Sequence, residues 1–183
     1  MKETIADVML FFKSKHAGYL QNRFTQVHDG NYWSDDETRS GPGSRKSSGS
    51  VHAALAALKH VKSVYGFTSV IDIPCGDFNW FDQFLDMHPD VEYAGFDIVE
   101  RLVENNRNRH PGRSFHHLNI ASSVPPRADL IFCKDLLNHL TYADVWRTVS
   151  NMKASGSTYL LASNNSNDRP PVDLPNIGGN PSH

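Results

Sequence analysis

Two acidic residues, each at the end of an apolar segment, are the part of the sequence best suited to chemistry. Asp72 lies in the segment 70–73, just before a turn that contains Gly76, and Asp97 ends the segment 91–97, 25 residues after Asp72. Nucleotide-like ligands bind α/β sheets where the carboxyl end of a strand opens onto a loop and a helix N-terminus. A carboxylate at the tip of a second strand can accept two hydrogen bonds from a ribose diol. The spacing therefore predicts a site for an adenosine-containing cofactor.

Alternating strand and helix patterns surround these two acids. Short apolar runs predict strands at about 69–73, 91–96, 113–120, 129–133 and 157–162. Helical spacing predicts helices at about 50–65, 78–87, 98–109 and 142–153, with a helical turn at 136–139. Ser50 is the expected cap of the helix 50–65 and Gly66 its stop. Strands that alternate with helices form parallel sheets with right-handed crossovers, so we expect a doubly wound α/β fold with strand order 3-2-1-4-5.

The two ends of the chain differ from this central part. Apolar residues at helical spacing predict an amphipathic helix over 4–24, packed on the domain, on a partner or over the binding cleft. Residues 25–50 are rich in Gly, Ser and Pro and form either a flexible linker or a lid; Trp33 and Arg39, which a linker does not need, favour the lid. Residues 164–183 predict an extended or disordered tail. We thus divide the chain into an N-terminal helix and lid loop (1–50), a cofactor-binding core (51–163) and an irregular tail (164–183).

Composition excludes several classes of protein. The 183 residues leave room for one domain, and a net charge of −2 disfavours a nucleic-acid partner, because such domains normally carry a basic excess. No run reaches the ~18–20 apolar residues that span a bilayer, and the N-terminus lacks a signal-peptide pattern. Cys75 and Cys133 are expected to be free thiols in a reducing compartment. We expect a cytoplasmic protein without a membrane partner, and a homo-oligomer is compatible with the sequence.

The turn and the second acid resemble motifs of a known superfamily. Asp72–Asp77 followed by Gly95–Ile98 is similar to the first two motifs of class I S-adenosylmethionine (SAM)-dependent methyltransferases, which have a Rossmann-like fold. The usual first motif is an acid followed by Gly-x-Gly-x-Gly. Here the acid and the middle glycine, Gly76, are kept, whereas Pro74 and Phe78 replace the outer glycines.

Three segments narrow the resemblance to a little-characterised group of small methyltransferases, and the likeness covers about residues 30 to 165. These segments are Arg39–Ser44, Pro74–Trp80 and Lys134–Leu140. The resemblance implies a cofactor site for SAM formed by Asp72, Pro74, Cys75, Gly76, Asp97, Ile98, Asn119, Ile120 and Lys134. It implies that Asp135 and His139 face the acceptor, and that the substrate side is covered by Trp33, Arg39, Ser40, Gly41 and Trp80. Such enzymes commonly complete the sheet with a C-terminal antiparallel hairpin, which this sequence does not predict.

The resemblance also suggests individual roles for the cofactor residues. Asp72 is implied to support the loop and to reach the cationic methionine part of SAM, or it caps the loop amides. Asp97 is either the ribose ligand or the N-cap of the next helix. Ile98 would flank the adenine with Ile120 packed on its ring, and Asn119 stands where related enzymes often place an Asp that contacts the adenine amino group. The amides of residues 40–44 are expected to bind a carboxylate or phosphate.

The segment after the fourth strand carries the candidate acceptor residues. Asp135 and His139 are four apart and share one face if the segment is helical. His139 is either a base that works near neutral pH or a structural helix residue. Methyl transfer needs mainly proximity and alignment, so the reaction does not require a base.

We predict a SAM-dependent methyltransferase that acts on an unidentified small-molecule acceptor. One alternative is a catalytically inactive SAM-binding sensor or partner subunit, which the altered glycine motif and the missing hairpin support. The other is an NAD(P)-dependent oxidoreductase, which Phe78 weakens because pyrophosphate binding uses a Gly-x-Gly-x-x-Gly turn. No metal site is predicted, since strand alternation directs the neighbours His116 and His117 to opposite faces.

Overall fold

The computed structural model describes residues 18–33 and 35–163. The expected tail at 164–183 and the first part of the expected helix at 4–24 lie outside these residues. Among the described helices, none has the length and apolar character needed to cross a bilayer.

A five-stranded parallel sheet forms the centre of the molecule. Its strands, in chain order β1 to β5, are Ser69–Asp72, Glu92–Asp97, Ser114–His117, Leu130–Cys133 and Tyr159–Ala162. Their spatial order is β3-β2-β1-β4-β5, and all four pairings are parallel. The predicted α/β class, parallel sheet and strand order are therefore confirmed. Because the strands are parallel, their carboxyl ends meet at one edge, where Asp72 and Asp97 lie on neighbouring strands.

Helices cover both faces of the sheet. They are α1 (residues 18–29), α2 (Gly49–Tyr65), α3 (Asp82–Met87), α4 (Glu100–Arg109) and α5 (Tyr142–Ala154), with short 3-10 helices at Pro42–Ser44 and Leu137–His139. On one face, α2, α3 and α4 bury an apolar cluster that includes Leu58, Phe84 and Val103. On the other, Leu20 of α1 and Met152 of α5 belong to a second cluster. Each layer buries the apolar side of its helices against the strands, which is what stabilises this architecture.

Several predicted boundaries are corrected by local geometry. Ser48, not Ser50, caps α2, because the extended backbone of Ser48 lets its side chain accept the amide of Val51. Gly66 ends that helix with a φ of 64°, as predicted. The helix expected to end at 24 continues to 29, where the amide of Gly30 bonds to the carbonyl of Gln26.

Two further elements are shorter than predicted. The helix expected over 78–87 begins only at Asp82, because Phe78 has a left-handed backbone with φ of 55°. The strand expected over 113–120 ends at His117, because Asn119 starts a turn in which its carbonyl accepts the amides of Ser122 and Ser123. Both changes place irregular backbone at the carboxyl edge of the sheet, where the candidate site lies.

Candidate functional site

The backbone amides of the turn after β1 all donate hydrogen bonds to other groups of the protein. Pro74 has no N–H, and the amide of Cys75 donates to Phe96 O at 2.8 Å. The amide of Gly76 donates to Asp97 Oδ2 at 3.1 Å. The next two amides, of Asp77 and Phe78, donate to Ser40 Oγ at 3.0 Å and Cys75 O at 3.2 Å. No amide between positions 74 and 78 is left to form the concave anion site that binds a pyrophosphate.

Asp97 fixes this turn to the start of α4. Its Oδ2 accepts the Gly76 amide, and its Oδ1 accepts the amide of Val99 at 2.9 Å. Burial raises the pKa of the Asp97 carboxyl, and the bonds from Val99 and Gly76 act in the opposite direction. A carboxylate has about four acceptor positions, so these two amides leave room for two hydroxyl donors. The helix-capping alternative therefore describes part of what Asp97 does and is compatible with the ribose prediction.

Asp72 accepts a side-chain hydroxyl and none of the loop amides. Its Oδ2 accepts the hydroxyl of Tyr93 at 2.9 Å, whereas the loop amides bond to Asp97, Phe96 and Ser40. The expectation that Asp72 caps the loop amides is therefore wrong. Burial raises the pKa of Asp72 well above its ordinary value, the Tyr93 bond lowers it, and the charge of Asp97 raises it further.

Residues 35–48, which we call the cover loop, are bound to the turn by Asp77. Its Oδ1 accepts the hydroxyls of Thr38 and Ser40, and its Oδ2 accepts the amide of Arg39, all at 2.9 Å. Gly76 lies beneath Ser40, so close that a Cβ at position 76 would stand 2.3 Å from Ser40 Oγ. The glycine is required by the cover loop as well as by its own φ of 53°.

Two further contacts hold the cover loop. Asn79 Nδ2 donates to Glu37 Oε1 at 2.7 Å and to Ser44 O at 3.0 Å. Lys134 Nζ, from the end of β4, donates to Gly43 O at 3.1 Å. These residues form a hydrogen-bonded cover rather than a free linker.

The cover loop uses two of the amides expected to bind an anion. The amide of Ser40 donates to Thr38 Oγ1 at 3.1 Å, and that of Ser44 donates to Gly41 O at 2.9 Å. These two amides are engaged inside the loop, and the anion site expected over residues 40–44 stays a prediction for the amides of Gly41 and Gly43.

Phe78 has a left-handed backbone, which is unusual for a residue other than glycine. Its φ is 55°, close to the 53° of Gly76, and a left-handed conformation is costly for a bulky residue. The ring is buried, with centroids 5.1 Å from Tyr93 and 5.2 Å from Phe115. Aromatic packing offsets the backbone cost at this position.

The acceptor side is built around Asp135, whose φ of 56° is also left-handed. Its carboxylate pairs with Lys134 through Oδ2 and accepts Ser163 Oγ at 3.2 Å through Oδ1. His139 lies in the 3-10 helix, and Trp33 lies above it with ring centroids 5.6 Å apart. The prediction that Asp135 and His139 share a helix face is wrong, because Asp135 precedes the helical residues. Burial lowers the pKa of His139, which the charge of Asp135 offsets in part.

The carboxyl edge of the sheet opens into two adjoining spaces. An apolar recess of about 330 Å³, its open side included, is lined by Leu118, Asn119, Ile120 and residues of α1. A larger cleft of about 870 Å³, measured in the same way, lies beside it, and Asp97 and Ile98 line both. Of the residues expected around the site, those lining the larger cleft are Trp33, Arg39, Ser40, Asp72, Pro74, Cys75, Gly76, Trp80, Asp97, Ile98, Lys134, Asp135 and His139.

Gly41 lies away from the expected site, and Asn119 has a local partner as well as a place in the recess. Gly41 lies outside the lining and packs below Trp33, where a Cβ would come within 3.1 Å of Trp33 Cβ. Asn119 lines the recess, but its side-chain oxygen accepts the amide of Ala121 at 3.1 Å and so closes a local turn.

Comparison with known proteins adds evidence on the fold. No protein-family model matches the chain. The solved structure of the mitomycin 7-O-methyltransferase MmcR is similar with a TM-score of 0.51 and 20% identity, over 68% of this chain and 39% of that one. SAM-bound CalS10, an amino pentose methyltransferase from Micromonospora echinaspora, gives a TM-score of 0.48 and 20% identity, over 57% of this chain and 46% of that one.

The chain shares a Rossmann-like α/β fold with MmcR. At 20% identity the likeness to MmcR is one of fold, and the chain spans less than half the length of either enzyme. Fold alone does not assign an activity, so the function has to be argued from the site.

The turn after β1 also depends on residues that the sequence did not single out as functional. Asp77 and Asn79 stand inside the recognised Pro74–Trp80 segment, but their partners in the cover loop are 35 or more residues away. Asn106 is fully buried on the apolar side of α4, and its Nδ2 donates to Gly76 O at 2.7 Å. Asn106 follows Val103 by three positions and Leu102 by four, so it lies on the same face of the helix. A polar side chain on this apolar face was the signal that could have identified it.

The two cysteines are free and buried. Burial raises the pKa of Cys133 to about 12 and that of Cys75 well above its ordinary range. Neither thiol is therefore a nucleophile at neutral pH, although Cys75 lines the cleft.

Proposed function

We propose that this chain binds SAM and transfers its methyl group to a small-molecule acceptor. The observation that carries the proposal is that the apolar recess and the larger cleft meet at the buried carboxylate of Asp97. An adenosine needs an apolar slot for its base and a hydrogen-bond acceptor for its ribose diol. The recess offers the slot, and Asp97 offers the acceptor beside it.

The residues present fit each part of the cofactor. Ile98 and Ile120 provide apolar contact for adenine, and the unused acceptor positions of Asp97 suit the ribose hydroxyls. Asp72 is a buried acid on the wall of the cleft, where a positive sulfonium would favour its charged form. Lys134 lies in the same wall, and the one ammonium donor that Asp135 and Gly43 O leave unused suits the carboxylate of the methionine part.

The internal use of the turn amides favours SAM over a dinucleotide. A pyrophosphate is normally bound by free backbone amides at the start of a helix. Here the amides of residues 75–78 already have acceptors, and α3 begins only at Asp82. SAM carries no phosphate and does not need such a site, so the oxidoreductase alternative is the weaker one.

The side chains near Trp33 would orient the acceptor. When bound, SAM supplies a methyl group activated by its positive sulfur, so the protein has mainly to align the acceptor with it. His139, whose pKa is lowered by burial, is uncharged at neutral pH and can accept a proton from an acceptor hydroxyl or amine. The left-handed backbone of Asp135 and its pairing with Lys134 fix the position of the segment that carries His139.

Calorimetric titration with SAM, S-adenosylhomocysteine and NAD tests the cofactor assignment. We expect micromolar binding of the first two and at least a tenfold loss in Asp97→Ala, with NAD weaker than either. The matched control is Asp86→Ala, which removes an exposed acid of α3 outside the cleft. Thermal unfolding of both variants separates loss of binding from loss of fold. Tight NAD binding without SAM binding would overturn the proposal.

A second measurement separates the enzyme from the inactive SAM-binding alternative. Cell extract is incubated with the wild-type protein and SAM labelled in its methyl group. Label recovered in a small molecule, and absent with Asp97→Ala, is the expected result. SAM binding without transfer to any component would favour the sensor or partner-subunit alternative.

A further inference from the structure

Arg39 is the arginine of the cleft, and it has no side-chain partner among residues 18–33 and 35–163. Its backbone is fixed, because its amide donates to Asp77 Oδ2 at 2.9 Å and its neighbours Thr38 and Ser40 bond to the same carboxylate. The residue is exposed and lines the cleft. Its guanidinium makes no ion pair or hydrogen bond within the described residues, so its donors are available to a ligand in the cleft.

The other charged groups of the cleft already have partners within the protein. Lys134 pairs with Asp135 and donates to Gly43 O. Asp77 accepts three hydrogen bonds from the cover loop, and Asp97 accepts two backbone amides. The cation available to a ligand on the cover-loop side is therefore that of Arg39.

The surroundings of Arg39 indicate what kind of anion it would bind. A guanidinium binds carboxylates and phosphates through two parallel hydrogen bonds, which fixes the orientation of the bound group. Trp33 and His139, also on the wall of the cleft, present neighbouring rings with centroids 5.6 Å apart. A flat, apolar body can pack on these rings while its acidic group reaches Arg39.

We propose that Arg39 selects an acidic acceptor, a small molecule that carries a carboxylate or phosphate on a flat apolar body. This inference rests on the proposed methyl transfer and deepens it by naming the acceptor class. Arg39 would act as a specificity-determining residue and Trp33 as the apolar wall beside it.

The test uses the full chain saturated with S-adenosylhomocysteine and two matched probe pairs. 4-Hydroxybenzoate is compared with 4-hydroxybenzamide, and phenyl phosphate with phenol, by calorimetric titration. We expect each acid to bind at least tenfold more tightly than its neutral partner. Arg39→Gln should remove this preference, and Arg39→Lys should restore part of it. The matched control, Arg109→Gln, loses the same charge at the exposed end of α4.

Equal binding of acids and neutral partners, no binding of either acid, or an unchanged preference in Arg39→Gln would overturn the proposal. A second titration separates the acceptor from the carboxylate of the cofactor itself. It compares S-adenosylhomocysteine with 5′-methylthioadenosine, which lacks the amino-acid part. If Arg39→Gln weakens only the former, Arg39 binds the cofactor and the acceptor assignment is wrong. If wild-type protein binds neither SAM nor S-adenosylhomocysteine, the proposed function itself fails, a result distinct from the others.

Discussion

Replacing Asp77 by Ala should release the cover loop from the turn while the domain stays folded. The substitution removes the acceptor of three hydrogen bonds, from the Thr38 and Ser40 hydroxyls and the Arg39 amide. The apolar clusters on the two faces of the sheet do not include Asp77, so the core keeps its packing. The perturbation is therefore local.

The size of the effect follows from the surroundings of the three donors. Thr38 is buried, and an unpaired buried donor costs about 1–3 kcal/mol, whereas the more accessible donors each lose about 0.5–1.5 kcal/mol. After allowance for water reaching the released groups, the opening free energy of the loop should fall by about 2–4 kcal/mol. At about 1.4 kcal/mol per factor of ten, this is roughly a 30- to 900-fold rise in the open fraction.

Amide hydrogen exchange measures this quantity directly. The amide of Arg39 and its neighbours in the cover loop should exchange faster in Asp77→Ala by that factor, with strands β1 and β4 unchanged. The control is Asp36→Ala, which removes an exposed acid from the same loop. Equal exchange at Arg39 in the two variants would refute the reasoning. It would mean that Asn79 and Lys134 hold the loop without Asp77.

Two further substitutions test the strained turn and the buried acid. Phe78→Ala should cost about 3–5 kcal/mol in urea unfolding because it removes a buried ring, and Phe78→Gly should be about 1 kcal/mol more stable than Phe78→Ala because φ is positive. If Phe78→Ala were instead more stable than Phe78→Gly, the left-handed backbone at this position would not be under strain. The pKa of Asp72 is raised in the folded chain. Between pH 3.8 and that raised pKa, the folded chain holds a proton on Asp72 that the unfolded chain has lost. Asp72 therefore makes the free energy of unfolding of the wild type fall as the pH rises through this range. Asp72→Asn should therefore be more stable than wild type at pH 7 and bind SAM more weakly. In urea unfolding, the stability difference between the two proteins should shrink as the pH falls toward 3.8. A stability difference that does not change with pH would contradict this.

The sequence predicted what depends on local pattern. Strand and helix alternation is written in runs of apolar residues, and parallel strands then determine that Asp72 and Asp97 meet at one edge. The end of α2 at Gly66 was likewise predictable, because a left-handed stop residue is a local property.

What the sequence did not predict depends on contacts between distant segments. The bonds from Ser40 and Thr38 to Asp77 join positions 37 and 39 residues apart, and such contacts leave no periodic signal. The bond from the Gly76 amide to Asp97, where Asp72 was one expected cap, has the same origin. Which of the two acids accepts the Gly76 amide depends on where the Tyr93 hydroxyl lies, and two carboxylates in one sequence do not indicate this.

The altered glycine motif is better explained as a rebuilt turn than as a decayed one. Pro74 brings no amide to the turn, and Phe78 adopts a left-handed backbone and adds a ring to the core. Asp77, between Gly76 and Phe78, gains three bonds to the cover loop. Because each departure from Gly-x-Gly-x-Gly has a structural role here, the altered motif does not argue for a protein that has lost its cofactor. The inactive alternative must therefore be supported by the transfer assay and not by the motif.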